Sequence, residues 1–237
     1  MIEFRGPAKR IDDLDLPRIG HMIGVGEDEV HAILDVESAG SGFDSKGRPK
    51  MLFEPHVFYR ELAKHPAKRA QAVSQGVAYE GWRPGTYPSD SYPRLLLAMK
   101  IDETAALRSA SWGLGQILGN NHLAAGYATV QEMVTDFTLD EDNHLEAMIR
   151  FIKAKKLDDE LRNHEWAAFA RGYNGAMYAA HGYHIKLKNA YDKWRKIKDT
   201  PYTPGASPPP PDIPKAEPAK PKQGWLATLL SLFTKKA

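Results

Sequence analysis

Apolar residues recur at helical spacing along most of the chain. Over residues 28–37, Val30, Ile33 and Leu34 form one stripe of an amphipathic helix. Over residues 141–156, Leu145, Met148, Ile149 and Ile152 share a face. One or two short helices fit residues 95–107. Another runs from His164 and is expected to stop at Gly172, and a last one covers residues 185–197. Residues 41–54 break the pattern. There a turn signal at residues 44–47 lies between short extended segments, which predicts a small β-hairpin. No fixed-period repeat is present. The expected class is α+β and predominantly α-helical, with a small β-element inserted after the second helix.

Composition alters this picture mainly at the C-terminal end. Of 237 residues, 42% are hydrophobic, enough for one cored domain, which we place at residues 1–199. Residues 200–223 are dense in proline, including the run Pro208-Pro209-Pro210-Pro211, and read as a semi-rigid linker. Residues 224–237 form a short apolar tail. As a helix it would align Trp225, Leu229, Leu232 and Phe233, a face suited to a membrane surface or a protein groove. The plainer alternative is a tail that docks on the body. Ten apolar residues are too few to span a bilayer, which takes roughly 20.

The net charge of +2 is uneven. From Thr200 onward there are five lysines and two acidic residues, leaving a near-neutral body with no basic stripe. That argues against nucleic acid as a partner. The absence of cysteine excludes disulfides, thiolate metal sites and a cysteine nucleophile. The first residues lack the apolar core and cleavage site of a secretory signal, so synthesis in the cytoplasm is expected. The chain is expected to act as a monomer.

Three segments could carry chemistry. Glu37 follows Val30, Ile33 and Leu34 by helical spacing, so a carboxylate stands where an apolar residue is expected. Burial would raise its pKa and keep it protonated, as a general acid requires. The alternative is a helix-terminal glutamate reaching into solvent. The segment Ser109-Ala110-Ser111-Trp112-Gly113-Leu114-Gly115-Gln116 admits close approach of backbone to a ligand, and Gln116 can both donate to and accept from a sugar. Its alternative is a tight helix start packed on the core. Arg171-Gly172-Tyr173-Asn174-Gly175 places Tyr173 and Asn174 either at a cleft wall or in a simple turn. Nine histidines, among them His144, His164, His181 and His184, lack metal-binding spacing, so neither a metal nor another cofactor is expected.

The order of these segments resembles the lysozyme-like superfamily, and more closely the N-acetylmuramidase family of phage endolysins. The carrying residues are Val36-Glu37-Ser38 with Gly40-Ser41-Gly42-Phe43, Gly47-Arg48-Pro49, Leu52-Phe53-Glu54-Pro55-His56, Ser109-Ala110-Ser111-Trp112-Gly113, Gln116-Ile117, Asn121-His122 and Phe169-Ala170-Arg171-Gly172-Tyr173-Asn174-Gly175. The resemblance covers roughly residues 22–195. It implies a lysozyme-like domain that hydrolyses the β-1,4 bond between N-acetylmuramic acid and N-acetylglucosamine in bacterial peptidoglycan. Glu37 would be the acid, and Ser111, Gln116, Tyr173 and Asn174 would bind substrate. A second carboxylate is expected at Glu54, with Asp44 as the alternative; the other reading of Glu54 is a structural ion pair with Arg48 or a nearby histidine. Without a second carboxylate, the sugar 6-hydroxyl would attack and leave 1,6-anhydro ends, as in lytic transglycosylases. An inactive glycan-binding module, or an adaptor acting through the tail, are the non-enzymatic alternatives. Many members of that family carry a separate wall-binding module ahead of the catalytic domain, and none is expected here, where a proline-rich linker and an apolar tail follow instead. The chain also has Ser91-Tyr92-Pro93 where a Tyr-Asp-Arg-like run is expected. The implied place of action is the cell wall, reached after release or delivery from the cytoplasm.

Overall fold

A computed structural model describes residues 2–37 and 40–205. Ser38, Ala39, nearly all of the proline-rich stretch and the apolar tail lie outside the described residues. Helix α1 is Asp15–His21 and α2 is Glu27–Glu37. Strand β1, Met51–Phe53, leads into α3, Pro55–Glu61, and α4, Pro66–Ser74. Helices α5, Tyr92–Met99, and α6, Glu103–Arg108, precede strands β2, Ala110–Trp112, and β3, Ile117–Leu118. Then come α7, Val130–Asp136; α8, Glu141–Ala154; α9, Asp158–Arg162; α10, Trp166–Asn174; and α11, Tyr183–Trp194. None of the described helices is long and apolar enough to cross a membrane.

Local chemistry fixes many of these boundaries. Pro55, Pro66 and Pro93 stand in the first turns of α3, α4 and α5, where the missing N–H costs nothing. Thr129 and Glu132 form a reciprocal capping box on α7, and Asp140 accepts the Asp142 N–H to start α8. Glu27, Asp28 and Glu29 place negative charge at the positive end of α2.

Two cores result. One surrounds the sheet and buries Phe53, Phe58, Trp112 and Phe137. The other joins α1, α2 and α8 to α11 and buries Ile19, Ile33, Leu145 and Phe169. Helix α8 serves both: Ala147 and Phe151 enter the first core, while Leu145, Met148, Ile149 and Ile152 enter the second. The partly buried Tyr173 packs against both.

The sheet corrects part of the sequence reading. The hairpin turn exists: Phe43 bridges Pro49, the Asp44 N–H donates to the Arg48 carbonyl at 2.8 Å, and the Lys50 N–H donates to that of Gly42 at 2.6 Å. Yet β1, which follows it, pairs antiparallel with β2, matching Met51 with Trp112 and Phe53 with Ala110. Strand β2 in turn pairs with β3, Trp112 facing Ile117. The glycine-rich segment is therefore two short strands around a turn, not a helix start. Three-residue strands with a partner some sixty positions away leave no local periodicity to read.

Gly172 also differs from expectation, because α10 runs through it. A Cβ there would collide with the Leu157 side chain, so this glycine serves helix packing. The helix stops two residues later, where Gly175 takes φ +81°. Beyond residue 199 the chain still touches the body. The Thr200 N–H donates to Glu27 at 2.7 Å, and the Tyr202 ring lies 5.8 Å from that of His21.

Candidate active site

Glu37 is the last residue of α2, on the face set by Val30, Ile33 and Leu34, and it is 6% exposed. The solvent-exposed alternative is thus excluded. Helix α11 lies along α2. The Trp194 ring stacks on His31 at 3.7 Å, and its indole N–H donates to Asp35 at 2.9 Å. This contact brings Tyr183 and Lys186 into the electrostatic surroundings of Glu37.

Helix α10 supplies the partner. Its end at Gly175 puts Asn174 beside Glu37, and the Asn174 amide donates to Oε1 at 2.7 Å. Among the described residues this is the one hydrogen bond to the Glu37 carboxyl. Burial dominates its titration and pushes the pKa up to about 7, against the smaller lowering effects of the Asn174 hydrogen bond and the Lys186 charge. With Oε1 occupied, Oε2 is the oxygen left to carry the acidic proton. The carbonyl oxygen of Asn174 is buried and unpartnered, an acceptor beside the acid waiting for a donor.

Tyr173 points elsewhere. It stacks on Phe169 and donates its hydroxyl to the Gly115 carbonyl at 2.9 Å. Its hydroxyl stays protonated, because burial and the Glu37 charge both raise its pKa. Gly115 leaves room for that hydroxyl, which would lie 3.1 Å from a Cβ there. Tyr173 thereby ties α10 to the turn between β2 and β3. Gln116 is in that turn with φ +46° and donates its side-chain amide to the Gly113 carbonyl at 2.8 Å, leaving its side-chain oxygen as an acceptor. Ser111 sits on β2 opposite Leu52 and Leu118, half-buried on the face away from Ala110 and Trp112.

The two carboxylates proposed to complement Glu37 have different surroundings. Asp44 is consumed by its turn: it accepts the Lys46 and Arg48 N–H groups and pairs with the Arg48 guanidinium at 2.6 Å. Glu54 precedes α3 and accepts the Tyr87 hydroxyl at 2.7 Å. Burial raises its pKa, offset in part by Tyr87 and Arg60. Arg48 does not pair with it, since Asp44 and Asp90 hold that guanidinium. His56 approaches Glu54 to 3.4 Å, but burial and Arg60 lower the imidazole's pKa, so the contact is with a neutral ring. No hydrogen bond or ion pair among the described residues links Glu54 to Glu37. Tyr92 is structural: its hydroxyl donates to the Pro49 carbonyl at 2.7 Å, under the Arg48 guanidinium.

Sequence reasoning missed the supports of the loop that follows Glu37. The buried Glu141 accepts the Gly42 N–H at 2.6 Å, and buried His144 packs where a Cβ on Gly42 or Gly113 would lie. His144 accepts the Leu114 N–H at 3.2 Å, and burial lowers its pKa to about 4, so it is neutral. Glu141 reads in sequence as an ordinary acidic first turn, and His144 as one more histidine. Tyr183 was legible, being one turn before the buried Leu187, whereas Lys186 was not.

A buried, protonatable carboxyl on a predominantly helical body with a small antiparallel sheet is what a glycosidase-type hydrolase of lysozyme-like fold requires. The chain belongs to the N-acetylmuramidase family, whose sequence pattern matches residues 27–195. Among solved structures it is similar to an endolysin of Burkholderia phage AP3, at 36% identity and TM-score 0.71, over 81% of this chain and 74% of that one. Comparison with curated proteins gives no match.

Proposed function

We propose that the chain is an endolysin-type muramidase that cleaves the β-1,4 bond from N-acetylmuramic acid to N-acetylglucosamine in peptidoglycan. The observation that carries this reading is Glu37, enclosed, held through one oxygen and with a pKa of about 7. Oε2 delivers its proton to the bridging oxygen as the glycosidic bond breaks, and the leaving sugar departs as an alcohol. The unpartnered Asn174 oxygen can accept an N–H from an acetamido group. Tyr173 holds the turn that carries Gln116, and we assign Ser111 and Gln116 to contacts with the glycan. Glu54 is our assignment for the second carboxylate, activating a water. The domain of residues 1–199 carries the reaction, residues 200–223 space it from the tail, and residues 224–237 contact a membrane surface or another protein. The enzyme is made in the cytoplasm and reaches the wall after release.

A second reading, attack by the sugar 6-hydroxyl, is favoured by one observation. The groups acting on Glu37 are Asn174 and Lys186, and neither is a carboxylate. A nucleophile at the roughly 5–5.5 Å of a retaining enzyme would raise the Glu37 pKa through its own charge. Mass spectrometry of fragments from purified peptidoglycan separates the two. Reducing muramic ends, lost in Glu37→Gln, support the hydrolase; 1,6-anhydro ends support the second reading. Release by Glu37→Gln at the wild-type rate would remove Glu37 from the chemistry.

A further inference from the structure

A groove of about 510 Å³ opens among α3, α4, α5 and the loop of residues 76–86, formed by none of the residues around Glu37. Tyr59, Tyr79, Arg83 and Arg94 line it. Seven of the thirteen arginines, Arg10, Arg18, Arg48, Arg108, Arg150, Arg162 and Arg195, pair with a carboxylate. Arg83 and Arg94 have no ion pair among the described residues, although Glu80 lines the same groove. One terminal nitrogen of Arg94 is also buried without a hydrogen-bond partner. A buried donor left unmade is costly, and a bound anion would satisfy it.

The geometry leaves these donors usable. The Arg83 guanidinium lies over the Tyr79 ring at 4.5 Å. Stacking engages the face of the guanidinium and leaves its in-plane N–H groups free to grip a carboxylate. The loop is braced: the Tyr79 hydroxyl donates to Thr86 at 2.8 Å, and Thr86 donates to the Arg83 carbonyl at 2.8 Å. The next residue, Tyr87, holds Glu54. A ligand in the groove would thus rest on the same loop that holds Glu54.

We propose that this groove binds a carboxylate of the peptide stem borne by the wall glycan, through Arg83 and Arg94. This inference rests on peptidoglycan being the substrate. It makes the protein a reader of peptide-bearing glycan in addition to a cutter of sugar linkages.

Calorimetric titration with soluble disaccharide-tetrapeptide tests it, alongside the same disaccharide without peptide and the same ligand with its stem carboxylates amidated. The Glu37→Gln background prevents cleavage during the titration. The wild-type groove should favour the peptide-bearing ligand, and Arg83→Ala and Arg94→Ala should each weaken that ligand by about tenfold while leaving the peptide-free disaccharide unchanged. Amidation should abolish the difference between the arginine variants and the parent. Arg83 is exposed, so its variant keeps the test open if Arg94→Ala melts early. Equal affinity for both disaccharides, or equal loss of both in the variants, overturns the groove while leaving the muramidase reading intact. No binding of any of these ligands overturns both.

Discussion

Glu37 and Glu141 are both buried glutamates at helix ends, and they have opposite hydrogen-bond surroundings. Glu141, fully enclosed at the start of α8, accepts from the Arg10 guanidinium at 2.9 Å, the Ile11 N–H at 3.2 Å, the Gly42 N–H at 2.6 Å and the Ser41 hydroxyl at 3.3 Å. Among the described residues, Glu37 accepts from a single neutral amide, at 2.7 Å. Burial penalises a carboxylate charge, and donors repay the penalty. Saturated with donors, a buried carboxyl is a structural acceptor that ties segments together. Starved of them, it keeps its proton and can give it away. The two are also mechanically joined, because Glu141 grips the loop that follows Glu37 and Arg10 reaches the Gly40 carbonyl at 3.0 Å.

Glu37→Gln tests the starved site and carries the largest expected effect. If Glu37 is the acid, turnover on purified peptidoglycan should fall by about 10²–10⁴-fold. The wild-type rate should decline as pH rises through about 7, where the acid loses its proton. Stability should fall with rising pH as well, over a lower range. Below the unfolded pKa of 4.5 the carboxyl is protonated in both states and the stabilisation is complete; it is lost as pH rises to the folded pKa of about 7. Denaturant titration should find Glu37→Gln equal to wild type at pH 4 and about 3 kcal/mol more stable at pH 9. A variant less stable at pH 9 would contradict the starved-site account.

Glu141→Gln tests the saturated site. An amide cannot accept from every donor that the carboxylate serves, and two of those donors are backbone N–H groups with no other partner to turn to. Urea denaturation should show a loss of about 3 kcal/mol at pH 7. The alkaline limb of the pH–rate profile should stay in place, since no charge near Glu37 changes. A shift of that limb would mean that Glu141 acts on Glu37 electrostatically rather than through the loop.

The site was unevenly legible in the sequence. Glu37 could be singled out because helical spacing carries burial information: it stands in register with Val30, Ile33 and Leu34, although spacing alone left a solvent-facing helix end open. Helices α2, α8 and α11 were readable for the same reason. The β1–β2 pairing and the role of Gly172 were not, because they depend on Met51–Phe53 and Leu157, partners distant along the chain. Glu141 was hidden because its donors come from residues 10, 11, 41 and 42. Composition marked off the proline-rich stretch, but Thr200 and Tyr202 still contact the body.

Asn174→Ala sharpens the comparison by removing the one donor to Glu37 among the described residues. That hydrogen bond lowers the Glu37 pKa, so its loss should raise it. The alkaline limb should move upward, and the lost contact of the Asn174 oxygen with the acetamido group should raise KM without moving that limb. An unmoved limb would assign it to a group other than Glu37.

Tyr87→Phe is the gentlest change, and it asks which kind of glutamate Glu54 is. Burial keeps the Tyr87 hydroxyl protonated, so it remains a donor to Glu54 throughout the working pH range. That bond partly offsets the burial that raises the Glu54 pKa, and the phenylalanine variant should titrate higher still. If Glu54 activates a water, it must be ionised to work, so the acid limb of the rate profile should move to higher pH while the alkaline limb stays. If Glu54 only supports the loop, the acid limb should not move and the variant should lose about 1 kcal/mol of stability in urea. Paired with reducing ends in the product, a moving acid limb assigns Glu54 to the chemistry. A fixed limb with anhydro ends leaves Glu37 as acid and base in turn, its single hydrogen bond then serving both the protonated and the ionised carboxyl.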